Sequence, residues 1–347
     1  MLTLDGSDGA GVDTRNSASG FVCPRCRSAL DATTERYHCS HCRADYPIVL
    51  GIPDFRLEPD PWIDIEADRA KGERLARETE GADFETVLRA YWAMTPSTPK
   101  PLAEKFIRHV LDSRERSDEW LAWMLDQDGH APDGRWLEIG CGTGDLIVAA
   151  LSRGIELIGI DIAFRWLVVA SRRPELAVAG PQLVCCNAEH LPFADATFAR
   201  VVSAGTLEHC GDATATICEA TRVLRSGSRL RIRTVNRYTL LREPHVGVWG
   251  VGFVPRRWSD GYVRLRSQQR YQHHHPLSRR ELGRELRRAG LAQVHVVGAA
   301  LLGSERSRLP FALRWTAAVY SWARRTVGIR SLLGTISPAL DATGVKP

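Results

Sequence analysis

Two periodicities divide the chain. Between residues 62 and 130, Trp62, Phe84, Leu88, Tyr91, Trp92, Phe106, Trp120 and Trp123 stand as apolar positions among acidic and basic residues, the pattern of amphipathic helices with one buried face. Pro96, Pro99 and Pro101 interrupt that run, because proline lacks the amide proton that a helix interior uses. From Arg135 onward short, continuous apolar runs alternate with helical stretches. Strands are predicted over 136–139, 157–160, 183–186, 201–203 and 230–235, and a helix then a strand over 277–297. Such alternation specifies a Rossmann-like, doubly wound α/β sheet, whose ligand crevice lies at the carboxyl ends of the strands. Near the C-terminus Phe311, Trp315, Val319 and Trp322 repeat at helical spacing opposite Arg314, Arg324 and Arg325. The expectation is a helix packed on the core, with peripheral contact to an anionic membrane as the alternative.

The N-terminal part follows neither period. Residues 1–20 lack a basic start and an apolar run and read as a disordered leader rather than a secretory signal. Two pairs follow, Cys23-Pro-Arg-Cys26 and Cys39-Ser-His-Cys42. Two C-x-x-C knuckles this close place four thiolates at the corners of a tetrahedron, as a closed structural Zn²⁺ site requires. A redox dithiol needs one such pair, and a catalytic zinc needs an open position. His38 and His41 read as exposed neighbours. A segment of roughly 35 residues has too little core to fold alone, so the metal would supply folding free energy. The Pro- and Gly-punctuated stretch from Ala44 to Phe55 reads as the hairpin that closes a ribbon. The expected organisation is a leader (1–20), a zinc ribbon (21–56), a helical cap or linker (57–130), a sheet domain (131–303) with an insertion over 236–275, and a C-terminal amphipathic helix and tail (304–347).

Composition narrows the class. At 347 residues, 44% hydrophobic and 25% charged, the chain can bury a large core, which excludes wholesale disorder and a disulfide-dense miniature scaffold. Four of the nine cysteines lie between 23 and 42; Cys141, Cys185, Cys186, Cys210 and Cys218 lack ligand spacing and read as small buried residues. A reducing, cytoplasmic compartment is the simplest expectation. Charge is uneven. Residues 54–130 carry 18 Asp and Glu against 11 Lys and Arg, whereas 221–290 carry 17 Arg, no Lys and the four acids Glu243, Asp260, Glu281 and Glu285, a local excess of +13. An excess of that size draws an anionic partner such as RNA, an acidic glycan or a membrane. The plainer reading is a chain that uses Arg as its cation, with 42 Arg to 4 Lys.

Candidate chemistry sits at the strand ends. Gly140-Cys141-Gly142-Thr143-Gly144 ends the first predicted strand; glycines at alternate positions let the backbone turn tightly and approach a ligand. The spacing differs from the G-x-G-x-x-G of dinucleotide sites. Asp161 closes the second strand, placed to accept both hydroxyls of a ribose. Together Leu137-Glu138-Ile139-Gly140-Cys141-Gly142-Thr143-Gly144, Ala188-Glu189-His190-Leu191-Pro192-Phe193, Leu207-Glu208-His209 and Arg222-Val223-Leu224 closely resemble the class I S-adenosylmethionine (SAM)-dependent methyltransferases, in particular their UbiE-like branch. The resemblance implies that Gly140, Cys141, Gly142 and Gly144 line the methionine end of SAM, with Glu138 supporting that loop. It further implies that Asp161 holds the ribose, Ile162 lies against the adenine, and Asn187 and Ala188 meet the adenine edge. Asn187 stands where the family commonly has Asp, and its carbonyl is expected to accept from the adenine amino group. Residues 21–56 resemble the zinc-ribbon activators of tRNA, rRNA and protein methyltransferases, which implies partnership with a methyltransferase.

A hydroxyl acceptor must lose a proton, and histidine is suited to take it near neutral pH. His209 is one candidate base, with a pocket wall as its other reading. Glu243 and His245 form the second candidate. The following Gly247 to Arg256 stretch resembles, more loosely, the substrate insertion of bacterial methyltransferases of glycans and glycolipids, and reads as a hydrophobic lid with substrate contacts. The dense polar residues of 236–245 read as substrate contacts. His273-His274-His275 reads as an exposed turn before Pro276 rather than a preformed metal site, since three successive residues cannot share one face. The function expected is O-methylation of a hydroxyl on a glycan, a glycoside such as a mycofactocin-type oligosaccharide, or another small metabolite. The alternatives are an RNA methyltransferase and a non-catalytic SAM-sensing protein whose ribbon recruits a protein partner.

Overall fold

The computed structural model describes residues 20–347 except 97, 130–131, 180–181, 308–310 and 324–325. Residues 1–19 of the expected leader, and Arg324 and Arg325, lie outside the described residues. Short antiparallel strands carry the cysteine-rich segment: β1 (Asp31–Ala32), β2 (Arg36–Cys39), β3 (Ala44–Val49) and β4 (Ile52–Pro53), in that spatial order. Helices α1 (Ile65–Glu78), α2 (Phe84–Ala93), α3 (Lys100–Leu111) and α4 (Ser113–Asp128) follow. Asp64 and Asp83 begin α1 and α2 by accepting from the amides of Ala67 and Thr86, donors that a helix start otherwise leaves unpaired.

The rest of the chain runs β5 (Trp136–Ile139), α5 (Asp145–Leu151), β6 (Leu157–Asp161), α6 (Phe164–Ser171), α7 (Pro174–Ala179), β7 (Leu183–Cys185), β8 (Phe198–Ala204), α8 (Ala213–Val223) and β9 (Leu224–Val235). It continues through α9 (Arg256–Ser267), α10 (Arg279–Arg288), β10 (Ala292–Gly298), α11 (Gly303–Ser307), α12 (Phe311–Ala323), α13 (Val327–Ile336) and β11 (Ala339–Val345). Seven strands form one sheet in the order β10-β11-β9-β8-β5-β6-β7. β5, β6, β7, β8 and β9 pair in parallel, and β11 runs antiparallel to β9 and β10. β5 is buried at all four positions, as a parallel strand covered on both faces must be.

Three features depart from the sequence reading. The expected tail supplies β11, which inserts between β9 and β10, so the sheet extends past residue 303 to Val345. Its Asp341 is buried there and meets Arg233 at 2.7 Å. In α12, Trp315 and Trp322 are 73% and 65% exposed and Val319 is also exposed, while Ala317 is buried; the small residue packs inward and the tryptophans face out. Cys218 is exposed rather than buried. No described helix is long and apolar enough to cross a membrane.

The ribbon is not a separate core. Phe55 is fully buried and its ring lies 5.1 Å from Phe21, 5.1 Å from Tyr37 and 5.3 Å from Tyr46, and Phe21 in turn is 5.4 Å from Phe193 of the sheet domain. Beyond it a buried ion network ties linker to sheet. Arg56 donates to Asp54 at 2.6 Å and to Asp68 at 2.7 Å; Arg165 donates to Asp68 at 2.8 Å and to Asp60 at 2.9 Å. Asp68 also accepts from the Phe164 amide at the start of α6.

Burial alone would raise the Asp54 carboxyl, but the hydrogen bonds and charges of Arg56 and then Arg69 overcome it and hold the group below the usual range. A depressed folded pKa contributes stability that is present above the unfolded value of about 4 and is lost as pH falls through the folded one. The Asp54→Asn variant is therefore expected to be less stable at pH 7 by about 3 kcal/mol, as when a buried pair loses one partner. That deficit should shrink as pH drops below about 4. Melting curves of both proteins against pH check this; a deficit that stays constant refutes it.

Candidate active site

The four cysteines meet. Sγ–Sγ separations are 3.4 Å for Cys23–Cys42, 3.5 Å for Cys26–Cys39, 3.6 Å for Cys26–Cys42 and 3.3 Å for Cys39–Cys42, close to the roughly 3.8 Å between sulfurs on a tetrahedron of 2.3 Å Zn–S bonds. Arg27 and Arg43, each just after the second cysteine of a pair, take positive φ of 62° and 53°, so both knuckles turn the same way. Hydrogen bonds from Ser28 bring the Cys26 thiol down to about 6, whereas the crowding sulfurs of Cys39 and Cys23 push Cys42 up to about 12. A bound dication relieves that crowding.

At the carboxyl ends of the strands lies a cavity of about 780 Å³ lined by Gly140, Cys141, Gly142, Asp161, Ile162 and Ala188, among others. Gly140 and Gly142 have φ of 77° and 50°, and Gly144, at 77°, leads into α5. A Cβ at Gly140 would stand 1.9 Å from Thr206 Oγ1, so only glycine fits. Asp161 stiffens the loop by accepting from the Gly142 and Ala163 amides at 2.9 and 2.8 Å. Behind the loop Glu138 is buried with Oε2 unpartnered among the described residues, and burial, then the charges of Asp145 and Asp161, raises its carboxyl well above the usual range. Burial raises Asp161 too. A cation in the cavity would relieve both.

One expectation needs correction. The Asn187 carbonyl accepts from the amides of Leu57 and Glu58 at 2.8 and 3.1 Å, and its Nδ2 donates to the Glu58 carbonyl. Both carbonyl lone pairs are thus taken, and Asn187 clamps the linker instead of offering its side chain to an adenine. The clamp explains why the linker itself walls the cavity through Glu58, Asp60 and Trp62. Trp62, expected in a helix core, is 64% exposed and packs edge-on against His273 at 5.1 Å.

At the mouth three loops bring histidines together. His209 ends a single helical turn, Leu207–His209, and lines the cavity. Its Nε2 lies 3.2 Å from Nε2 of His245. His245 Nδ1 is 2.6 Å from Glu243 Oε1, and Glu243 Oε2 accepts from the backbone amides of His245 and Val246. The third member was missed: His274 turns inward from the triple-histidine turn and stacks on His245 at 4.3 Å. The turn is pinned by the His275 amide, which donates to the Glu208 carbonyl at 2.6 Å. Burial, and then the charges of His245 and His209, lowers the His274 imidazole to about 4. Burial lowers His209 as well, while in His245 the hydrogen bond and charge of Glu243 outweigh burial and raise it.

A family model described as a methyltransferase domain matches residues 137–232. Over these residues the chain is similar to that domain family. The seven-stranded mixed sheet, built from strands between Trp136 and Val345, is that of the class I SAM-dependent methyltransferase fold. A demethylmenaquinone methyltransferase of Thermobifida fusca is 32% identical over 129 residues, covering 36% of this chain and 55% of the relative. An O-methyltransferase of Aspergillus nomiae is 35% identical over 101 residues, covering 28% and 45%. The chain thus spans about half the length of these curated relatives. A SAM-dependent methyltransferase from Thermotoga maritima is similar in structure, with a TM-score of 0.44 and 20% identity, covering 70% of this chain and 96% of that one.

Between β9 and α10 the chain carries an insertion with a small core of its own, Val246, Val248, Val251 and Val263. Trp249 and Phe253 are exposed on it. Not all of its polar residues face a ligand: Asn236 is fully buried and donates to the carbonyls of Thr335 and Ser337. Part of the +13 excess is met by acids from outside the segment: Asp128 pairs with Arg229 and Arg231, Asp341 with Arg233, and Glu219 and Asp195 with Arg222.

Proposed function

We propose that this chain is a SAM-dependent O-methyltransferase acting on a hydroxyl of a glycan, a glycoside such as a mycofactocin-type oligosaccharide, or another small hydroxylated metabolite. The observation that carries this reading is the histidine cluster, braced by Glu243, at the mouth of the glycine-loop cavity. The cavity suits the cofactor. Glycine turns, with no room for a Cβ at Gly140, cradle its methionine part, the raised carboxyls of Glu138 and Asp161 favour a cationic occupant, and Asp161 retains lone pairs for ribose hydroxyls. SAM supplies a methyl group on sulfur that is already activated as a leaving group, so the protein's share is alignment of the acceptor and handling of its proton. His209 and His245, with Glu243 positioning the latter, are assigned to activate the hydroxyl. Trp62, an exposed aromatic face beside Glu58 and Asp60, supports a hydroxyl-rich ring as acceptor. The cysteine tetrad fits a structural Zn²⁺ held by Cys23, Cys26, Cys39 and Cys42.

Transfer of labelled methyl from SAM into an extract separated into RNA, protein, lipid and small-glycan fractions tests the reading. Label is expected in glycan or metabolite material, and not with Asp161→Ala, which is expected to lose SAM binding by calorimetry. Label in nuclease-sensitive material would turn the arginine-rich segment into an RNA surface and overturn the proposal.

A further inference from the structure

We propose that His209, His245 and His274 form a binding site for a divalent transition-metal cation of the zinc type, with one coordination position open to the cofactor cavity. Three separate segments deliver these side chains, and one nitrogen of each lies within 4.8 Å of the others. Two imidazole nitrogens on one tetrahedral ion with bonds of about 2.0–2.1 Å stand roughly 3.3 Å apart; His209 Nε2 and His245 Nε2 are 3.2 Å apart. Placed so, the two nitrogens share at most one hydrogen bond, whereas a cation between them uses both lone pairs.

The surroundings match. Glu243 binds Nδ1 of His245 and so turns its Nε2 lone pair toward His209, the carboxylate–histidine–metal arrangement that orients metal ligands. Among the described residues His274 Nδ1 is buried without a hydrogen-bond partner, a polar atom in want of one. Its ring lies against both others, at 4.3 Å from His245 and 5.1 Å from His209, and one of its nitrogens lies within 4.8 Å of theirs. Three neutral imidazoles with no thiolate or carboxylate ligand select Zn²⁺, Co²⁺, Ni²⁺ or Fe²⁺ over Mg²⁺ and Ca²⁺. Three protein ligands leave the fourth position free, which marks a catalytic rather than a structural site. The cysteine tetrad, by contrast, is closed.

The chemical consequence rests on the O-methyl transfer reading. With the acceptor hydroxyl at the open position, its O–H bond breaks and the proton passes to solvent water, a loss the cation favours. The oxygen's electron pair forms the O–CH₃ bond as the CH₃–S bond breaks, and that bond's pair stays on sulfur, leaving a neutral thioether. The products are methyl ether, S-adenosylhomocysteine and one proton.

Zn²⁺ titration of the full chain, freed of loosely held metal by a chelator, with metal content measured alongside, decides the matter. One equivalent beyond that held by the cysteines is expected. His274→Ala and His245→Ala should each lose it or weaken it at least 100-fold, with an unchanged melting temperature and an intact cysteine-bound equivalent. Glu243→Gln should weaken it about 10- to 100-fold. A wild-type chain without the extra equivalent, or one that keeps it in both histidine variants, overturns the site. SAM binding on the same samples separates the two readings: the extra metal without SAM binding supports the site and sinks the methyltransferase reading, and SAM binding without the extra metal does the reverse.

Discussion

His245→Ala is expected to lower turnover by about 10²- to 10⁴-fold, the usual share of a group that assists loss of the acceptor's proton. SAM affinity should stay unchanged, since the imidazole lies beyond the residues that wall the glycine loop. The effect should appear in kcat more than in KM, because the lost interaction favours the charge that develops on the acceptor oxygen rather than the resting acceptor. Glu243→Gln should reproduce part of the loss, since Glu243 acts through His245 by fixing its Nδ1 at 2.6 Å and its backbone amide at 2.8 Å. Initial rates with saturating SAM, and calorimetry of SAM alone, separate these effects. An unchanged rate would return His245 to a structural role.

Disrupting the cysteine tetrad should act at a distance. Cys39 is fully buried beside Tyr37 and Tyr46, so Cys39→Ser both removes a metal ligand and loosens the aromatic packing that joins ribbon to sheet. A structural zinc contributes about 10–16 kcal/mol in isolated fingers; here the shared core supplies part of the holding energy. A loss of about 4 kcal/mol is the expectation, or a melting temperature lower by roughly 10 °C. SAM affinity should fall with it, by about 10-fold, because the Leu57 and Glu58 amides that Asn187 grips lie just past the ribbon and the same linker walls the cavity. By reciprocity SAM should then tighten zinc binding by the same factor, read from the equilibrium of zinc between the protein and a chelator. A variant that melts with the wild type and binds SAM equally would show that ribbon and cavity are independent.

Features that arise within one strand–loop–helix unit were legible in the chain. Gly140, Gly142 and Gly144 are needed by local backbone geometry, and β5 and β6 by continuous apolar runs, so both stand where the pattern put them. The paired cysteines are likewise local signals. What escaped depends on segments far apart in sequence. β11 contains Asp341, Thr343 and Gly344 and has little apolar pattern of its own; its place between β9 and β10 follows from pairing with strands more than forty residues away, and from Arg233 meeting Asp341. Asn187 looked like a cofactor contact because it matches a position of the family pattern, yet its partners Leu57 and Glu58 come from the linker. His274 was hidden by its neighbours: steric reasoning excluded a shared face for three successive histidines, but only one of them needed to turn inward.

The short strand contact beyond the ribbon has a further consequence. β7 is the last strand of the parallel half of the sheet, and the Phe55 amide donates to its Cys185 carbonyl at 2.7 Å, with Asp54 paired beside Cys185. An uncovered sheet margin is a template for a second molecule's backbone. By laying its own chain along that margin, the protein closes the position where another copy would add. The N-terminal module is thus also a guard against self-association, and a chain shortened to begin after it would trade solubility for size.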